Sequence, residues 1–163
     1  MDGYVLSVER VIPAPASDVF AILADAAQHR RIDGSGMLQG KKPDAPERLS
    51  LDATFGMAMK LFGVRYGTEN KVVEFEPDRR IAWRTGPSGP MGRYVAGRIW
   101  RYELEPVPGG TRVRESWDIT TDHQRVLLKV GGIYSGKTRR DMERTLARLE
   151  AAVCGSGPNP SIA

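Results

Sequence analysis

Three groups of residues in this 163-residue chain have the types and spacing to do chemistry. The first is Gly131–Thr138, "GGIYSGKT", which matches the G-x-x-x-x-G-K-[ST] pattern of a phosphate-binding loop. Such a loop wraps phosphates in backbone N–H groups at the start of a helix that follows a strand of a parallel sheet. The second is Arg98 with Glu115, two charges set among aromatic residues, where an unpaired charge is costly. They can pair with each other across adjacent strands. A strand bulge can also turn one of them outward. In the third case Arg98 holds a ligand carboxylate or enolate while Glu115, its pKa raised by its surroundings, orients the ligand or moves a proton. The third group is the histidines. His123 sits just before the linker to the last helix and His29 lies in "QHRRID"; both read as surface residues.

The elements that must position these groups follow from periodicity. "YVLSVERVI" alternates as a strand, and Pro13 and Pro15 end it. Val19, Phe20 and Leu23 mark a helix over about 15–24, and a second short helix runs from Asp25 to about Arg31. "DGSGMLQGKKPDAPER" reads as a loop. Four to six strands follow, including a hairpin that turns at Pro106–Gly110. "RVLLKV" reads as a strand or, with Asp122 near its start, as a short helix. Met142, Leu146, Leu149 and Val153 recur at helical spacing and predict a helix over about 137–153. Strands and helices are segregated, which predicts an α+β fold with an antiparallel sheet. Such a sheet has no place for a phosphate loop between a parallel strand and its helix. The glycines then read as a link between two helices, with Tyr134 and Lys137 at its end.

Composition narrows the function. One cysteine excludes an intrachain disulfide, and two histidines leave little for a metal site. The N-terminal residues lack the pattern of a signal peptide, and no apolar run approaches the roughly 20 residues that cross a bilayer. The net charge is +4, but arginines are scattered near acids, the pattern of a solvated surface and not of a nucleic-acid stripe. The expectations are a cytoplasmic protein, monomeric or homodimeric, with no metal or nucleotide cofactor and no nucleic-acid partner.

Four stretches, in order, resemble one family. "VERVIPAPASDVFAILADAAQHRRID", "VVEFEPDRRIAWRT", "WRYELEPVPGGTRVRESWD" and "MERTLARLEAAV" are similar to segments of the polyketide cyclase/dehydrase-like members of the START/Bet v 1-like (SRPBCC) superfamily. The likeness covers about residues 3–153. One departure is plain: where many members carry a tryptophan after the second helix, this chain has Asp33 and Gly34–Gly36. The resemblance implies a helix-grip fold over residues 1–153, a curved antiparallel sheet wrapped around a long C-terminal helix; residues 154–163, polar and rich in Pro and Gly, read as a disordered tail. It implies a cavity for a lipid, polyketide or quinone-like molecule. A minority of members are enzymes, so a cyclase/dehydratase-type lyase and a ligand-free interaction module remain the alternatives. The superfamily has no shared catalytic residue to transfer.

Strand alternation then nominates the cavity wall. Trp100, Tyr102 and Leu104 share one face, opposite Val113, Glu115, Trp117 and Ile119; Tyr94 and Arg98 continue the first set. Val73 with Phe75, and Ile81 with Trp83, form the matching faces of the preceding strands. Met57, Met59, Phe62 and Tyr66 are further candidates, and Met142, Thr145, Leu146 and Leu149 face them from the helix. Tyr134 and the "GPSGPMG" segment, Gly86–Gly92, are expected at the cavity mouth.

Overall fold

Leu6, Val8 and Ile12 fall on alternate positions of β1 (Val5–Ile12), and all three are buried. The strand belongs to a computed structural model that describes residues 3–89, 97–130 and 136–155. Pro15 precedes α1 (Ala16–Leu23), which buries Val19, Phe20 and Leu23. The carboxylate of Asp25 accepts the Ala27 N–H at 2.9 Å and so caps a 3₁₀ turn, Ala26–Gln28. That turn runs directly into α2 (His29–Ile32).

The segment read as a loop contains a short strand, β2 (Leu38–Lys41), paired with β3 (Thr54–Leu61). Its pairing is irregular at Gly40, whose φ of +146° suits glycine. Four residues with an interrupted register carry no alternation long enough to read. β4 (Val64–Glu76), β5 (Arg80–Pro87), β6 (Arg98–Val107) and β7 (Gly110–Asp118) complete a seven-stranded sheet in the order β1-β7-β6-β5-β4-β3-β2. Every neighbouring pair is antiparallel.

α3 (Arg125–Val130) is the helical alternative for "RVLLKV", with Asp122 accepting the Gln124 N–H at 2.7 Å just before it. α4 (Thr138–Cys154) lies against β1, α1 and α2 and buries Met142, Thr145, Leu146, Leu149 and Ala152. It extends through Cys154, one residue into the segment expected to be a tail; residues 156–163 lie outside the described residues.

The register corrects one inward assignment. Between Val72 and Glu74 a β-bulge breaks the alternation of β4. Val72, opposite Trp83, is fully buried, and Val73 is the half-buried extra residue. Phe75 returns to the inner face opposite Ile81. A bulge changes strand parity by one residue, which a strict period of two cannot anticipate.

On the outer face Glu74 receives the Arg101 guanidinium at 2.6–3.1 Å, with Arg80 beside it. Arg80, Arg112 and Arg114 likewise pair across strands with Glu103, Glu105 and Glu9 on this face.

Candidate functional site

Between the inner face of the sheet and the N-terminal half of α4 lies a cavity of about 480 Å³. β3 supplies Met57 and Met59, β4 Tyr66, and β5 Trp83. Arg98, Trp100 and Tyr102 come from β6, Glu115 and Trp117 from β7, and Met142 from α4. The nine from the sheet share one wall because antiparallel partners face the same side: Tyr102 stands opposite Glu115, and Trp100 opposite Trp117. Met142 and Thr145, also nominated, face that wall from α4.

Other nominated residues stand elsewhere: Ile81, Leu104, Val113, Ile119 and Leu149 pack in the core. Phe62 is 97% exposed in the two-residue turn between β3 and β4, with φ of +48°. The strand ends at Leu61, which pairs with Val64, so alternation no longer governs Phe62. Phe75 and Leu146 pack in the core and not on the cavity wall, Phe75 meeting the Phe20 ring edge-on at 5.4 Å. Tyr94 and Tyr134 lie outside the described residues, as do residues 90–92 of the "GPSGPMG" segment and Gly131 and Gly132 of the "GGIYSGKT" segment.

His29 is the clearest reversal. Its sequence context reads as surface, yet it is 5% exposed and stacks on Trp83 with ring centroids 4.8 Å apart. Its Nε2 lies 2.8 Å from the Leu23 carbonyl oxygen. A carbonyl only accepts, so Nε2 carries the proton. Burial pushes the imidazole pKa below its usual value, against the opposing effect of this bond, and favours the neutral ring. Phe55, at 5.6 Å from His29, and Asn70 complete this side of the cavity. Neither is among the sequence-nominated residues. Phe55 shares the parity of Met57 and Met59, a signal that could have found it; Asn70 gives no apolar signal.

The charged groups resolve into separate partnerships. Arg98 donates from Nε to Asp122 at 3.0 Å, and the Asp122 side chain is wholly buried. Arg98 and Glu115 therefore form no pair with each other. Glu115 faces Tyr102, four residues along β6 from Arg98, a span of about 13 Å. Asp33 accepts hydrogen bonds from the Ser35 N–H, the Ser35 hydroxyl and the Leu38 N–H at 2.7–2.9 Å, which shapes the link from α2 to β2. Lys137 pairs with Asp141 on the first turn of α4.

Converting Asp122 to Asn keeps its size but leaves Arg98, only 27% exposed, without a countercharge. Urea unfolding should show a loss of roughly 2–4 kcal/mol; a loss below about 0.5 kcal/mol would mean the pair is solvated and dispensable.

Glu115 is the most perturbed carboxyl on the wall. It is 2% exposed, and Oε1 accepts the Tyr102 hydroxyl at 2.9 Å. Burial raises its pKa to about 8; the Tyr102 bond opposes this and the charge of Asp33 adds to it. The carboxyl is thus mainly protonated at neutral pH.

A curved antiparallel sheet gripping one long C-terminal helix, with short helices after the first strand, defines a helix-grip protein of the SRPBCC superfamily. Residues 5–153 match the family described as "Polyketide cyclase / dehydrase and lipid transport", and the chain belongs to it. Among curated proteins it is 37% identical over 108 residues to Uncharacterized protein Rv0088 of Mycobacterium tuberculosis. That match covers 66% of this chain and 44% of the relative, so it reaches less than half of the relative's length. Protein NE0264 from Nitrosomonas europaea superposes with a TM-score of 0.67 at 18% identity, covering 95% of this chain and 97% of that one. The AHSA1 protein from Silicibacter pomeroyi does so with 0.65 at 18% identity, covering 94% and 99%. At these identities the two structures speak to fold alone. No described helix is long and apolar enough to cross a membrane.

Proposed function

We propose that the cavity binds a hydrophobic or amphipathic small molecule of lipid, polyketide or quinone type. The observation that carries this reading is an interior space of about 480 Å³ walled by aromatic and methionine side chains with a few convergent polar groups. Folded interiors are normally packed without such space, and ligand sites have this size and lining. At about 30 Å³ per water-sized group the space takes roughly sixteen of them, a ligand with two fused rings or a medium-length chain. Methionines on β3 and α4 give a wall that adapts to shape. The family description is in keeping with this reading and names no ligand for this chain.

One observation favours catalysis as a second reading. A carboxyl with a pKa of about 8 beside a tyrosine hydroxyl suits general acid–base work on an enolisable ketone, as in a cyclase or dehydratase.

Native mass spectrometry of protein purified from its own host tests the binding reading. The expected result is an adduct of a few hundred daltons that organic solvent removes. A bare mass at low activation energy, unchanged by incubation with a lipid extract, would contradict it.

A further inference from the structure

Glu115 also carries information about the ligand's chemistry. It lines the inner part of the cavity, and its Oε2 is buried without a hydrogen-bond partner among the described residues. Oε1 is already used, as acceptor of the Tyr102 hydroxyl. In the neutral carboxyl the proton therefore sits on Oε2 and points at no acceptor among the described residues. A buried donor left unmet is costly, so the position calls for an acceptor supplied from outside the chain.

Among the described residues, the other charged and titratable groups of the wall leave no cation for an anion at this depth. Arg98 on β6 is committed to Asp122. Lys137, at the exposed end of the cavity, and Arg144 both pair with Asp141 on α4. His29 of α2 gives its Nε2 proton to the Leu23 carbonyl. Tyr66 stands at the open side, 39% exposed. Asp33, after α2, adds negative charge, which is felt at Glu115. An anionic group placed beside Glu115 would meet a carboxyl, a tyrosine hydroxyl already given away, and the field of Asp33.

We infer that the ligand meets Glu115 through a neutral hydrogen-bond acceptor, a ketone, quinone, ester or ether oxygen, and that this inner position refuses a carboxylate. The inference rests on the proposed binding role and adds the ligand's polarity to it. It also fixes an orientation: the acceptor oxygen goes in first, and any charged end stays at the mouth near Lys137 and Asp141.

Three naphthalenes of one shape test it: a propionyl-dimethylaminonaphthalene, its analogue with the ketone reduced to CH₂, and the matching carboxylate. Binding is followed by fluorescence at pH 6.5 with the wild type, Glu115→Gln and Glu115→Leu. The ketone should bind about tenfold tighter than the CH₂ analogue, the yield of one good hydrogen bond, and tighter still than the carboxylate. Glu115→Gln, whose amide can accept from Tyr102 and donate to the ligand, should keep that margin, while Glu115→Leu should erase it. Raising the pH through about 8 should weaken ketone binding in the wild type and not in Glu115→Gln. Equal affinity for ketone and CH₂ analogue in the wild type overturns the inference and leaves the binding role standing. Tighter binding of the carboxylate overturns it too. If none of the three binds, the inference falls together with the binding role.

Discussion

Glu115→Gln should leave stability unchanged near pH 4.5 and raise it by several kcal/mol at pH 9. The unfolded chain titrates Glu115 near 4.5, the folded protein near 8, because burial penalises the ionised form. Between these values the folded state holds a proton that the unfolded chain has released. The stability associated with the neutral carboxyl is fully present below pH 4.5, declines as pH rises, and is lost once pH passes about 8. A shift of that size corresponds to roughly 5 kcal/mol, a large share of the usual stability of a single domain. Glutamine has the same shape, still accepts the Tyr102 hydroxyl and never ionises. Urea unfolding across pH 4.5–9 should give a falling curve for the wild type relative to Glu115→Gln, with the gap opening at about 1.4 kcal/mol per pH unit. Parallel curves would mean that water reaches Glu115 and its carboxyl is ordinary.

Gly34→Ala should cost roughly 3 kcal/mol and loosen one side of the cavity. A Cβ at Gly34 would lie 2.0 Å from the Asp141 carbonyl oxygen and 2.6 Å from the Thr145 nitrogen, both backbone atoms of α4. Neither can yield unless the helix shifts, and α4 is held by Met142, Leu146 and Leu149 in the core. The same approach lets the Gly34 N–H donate to the Thr145 hydroxyl at 3.0 Å, a bond that any added side chain would strain. Overpacking of this kind typically costs about 1–3 kcal/mol, with rigid backbone at the upper end. For a chain of this size that lowers Tm by about 10 °C. His29, Asp33 and Met37 lie on the cavity side of the segment that must move. Ligand affinity should therefore fall along with Tm. Gly36, by contrast, leaves open space where a Cβ would stand, with no atom within 4 Å, and only its φ of +70° opposes substitution. Gly36→Ala should cost about 1 kcal/mol and leave affinity alone. Equal effects at the two glycines would contradict the close approach at Gly34.

This contact also supplies a physical reason for the unusual sequence after α2. Where the resembling family often has a tryptophan, this chain brings the backbone itself against α4, and Asp33 uses its carboxylate to fold the link into β2. Nothing in a periodicity argument can show that, because the reason lies on an element more than a hundred residues away.

What is legible in the sequence follows the same logic. The β6–β7 hairpin carries unbroken alternation on both strands, so Trp100, Tyr102, Glu115 and Trp117 can be set on one face from the sequence. α4 is legible from its apolar stripe. Val72 is hidden by a bulge, Phe62 by a Phe-Gly turn that lacks the usual Asn or Asp, and β2 by its brevity. His29 is hidden because one turn of helix has no face until the preceding Asp25-capped turn aims it. The partner of Arg98 escapes for another reason. Asp122 reads as a helix-start signal, and a carboxylate can cap a backbone N–H with one oxygen while holding a guanidinium with the other.

All three tryptophans of the chain line the cavity, so its occupancy can be read from their emission. The decisive measurement is quenching of intrinsic fluorescence by a neutral brominated long-chain alcohol, compared with Thr68→Phe, which places a ring in the same space from β4. Saturable quenching of most of the emission in the wild type, abolished in a Thr68→Phe variant of unchanged Tm, is what an apolar ligand cavity predicts. Weak, unsaturable quenching that is the same in both proteins would contradict it.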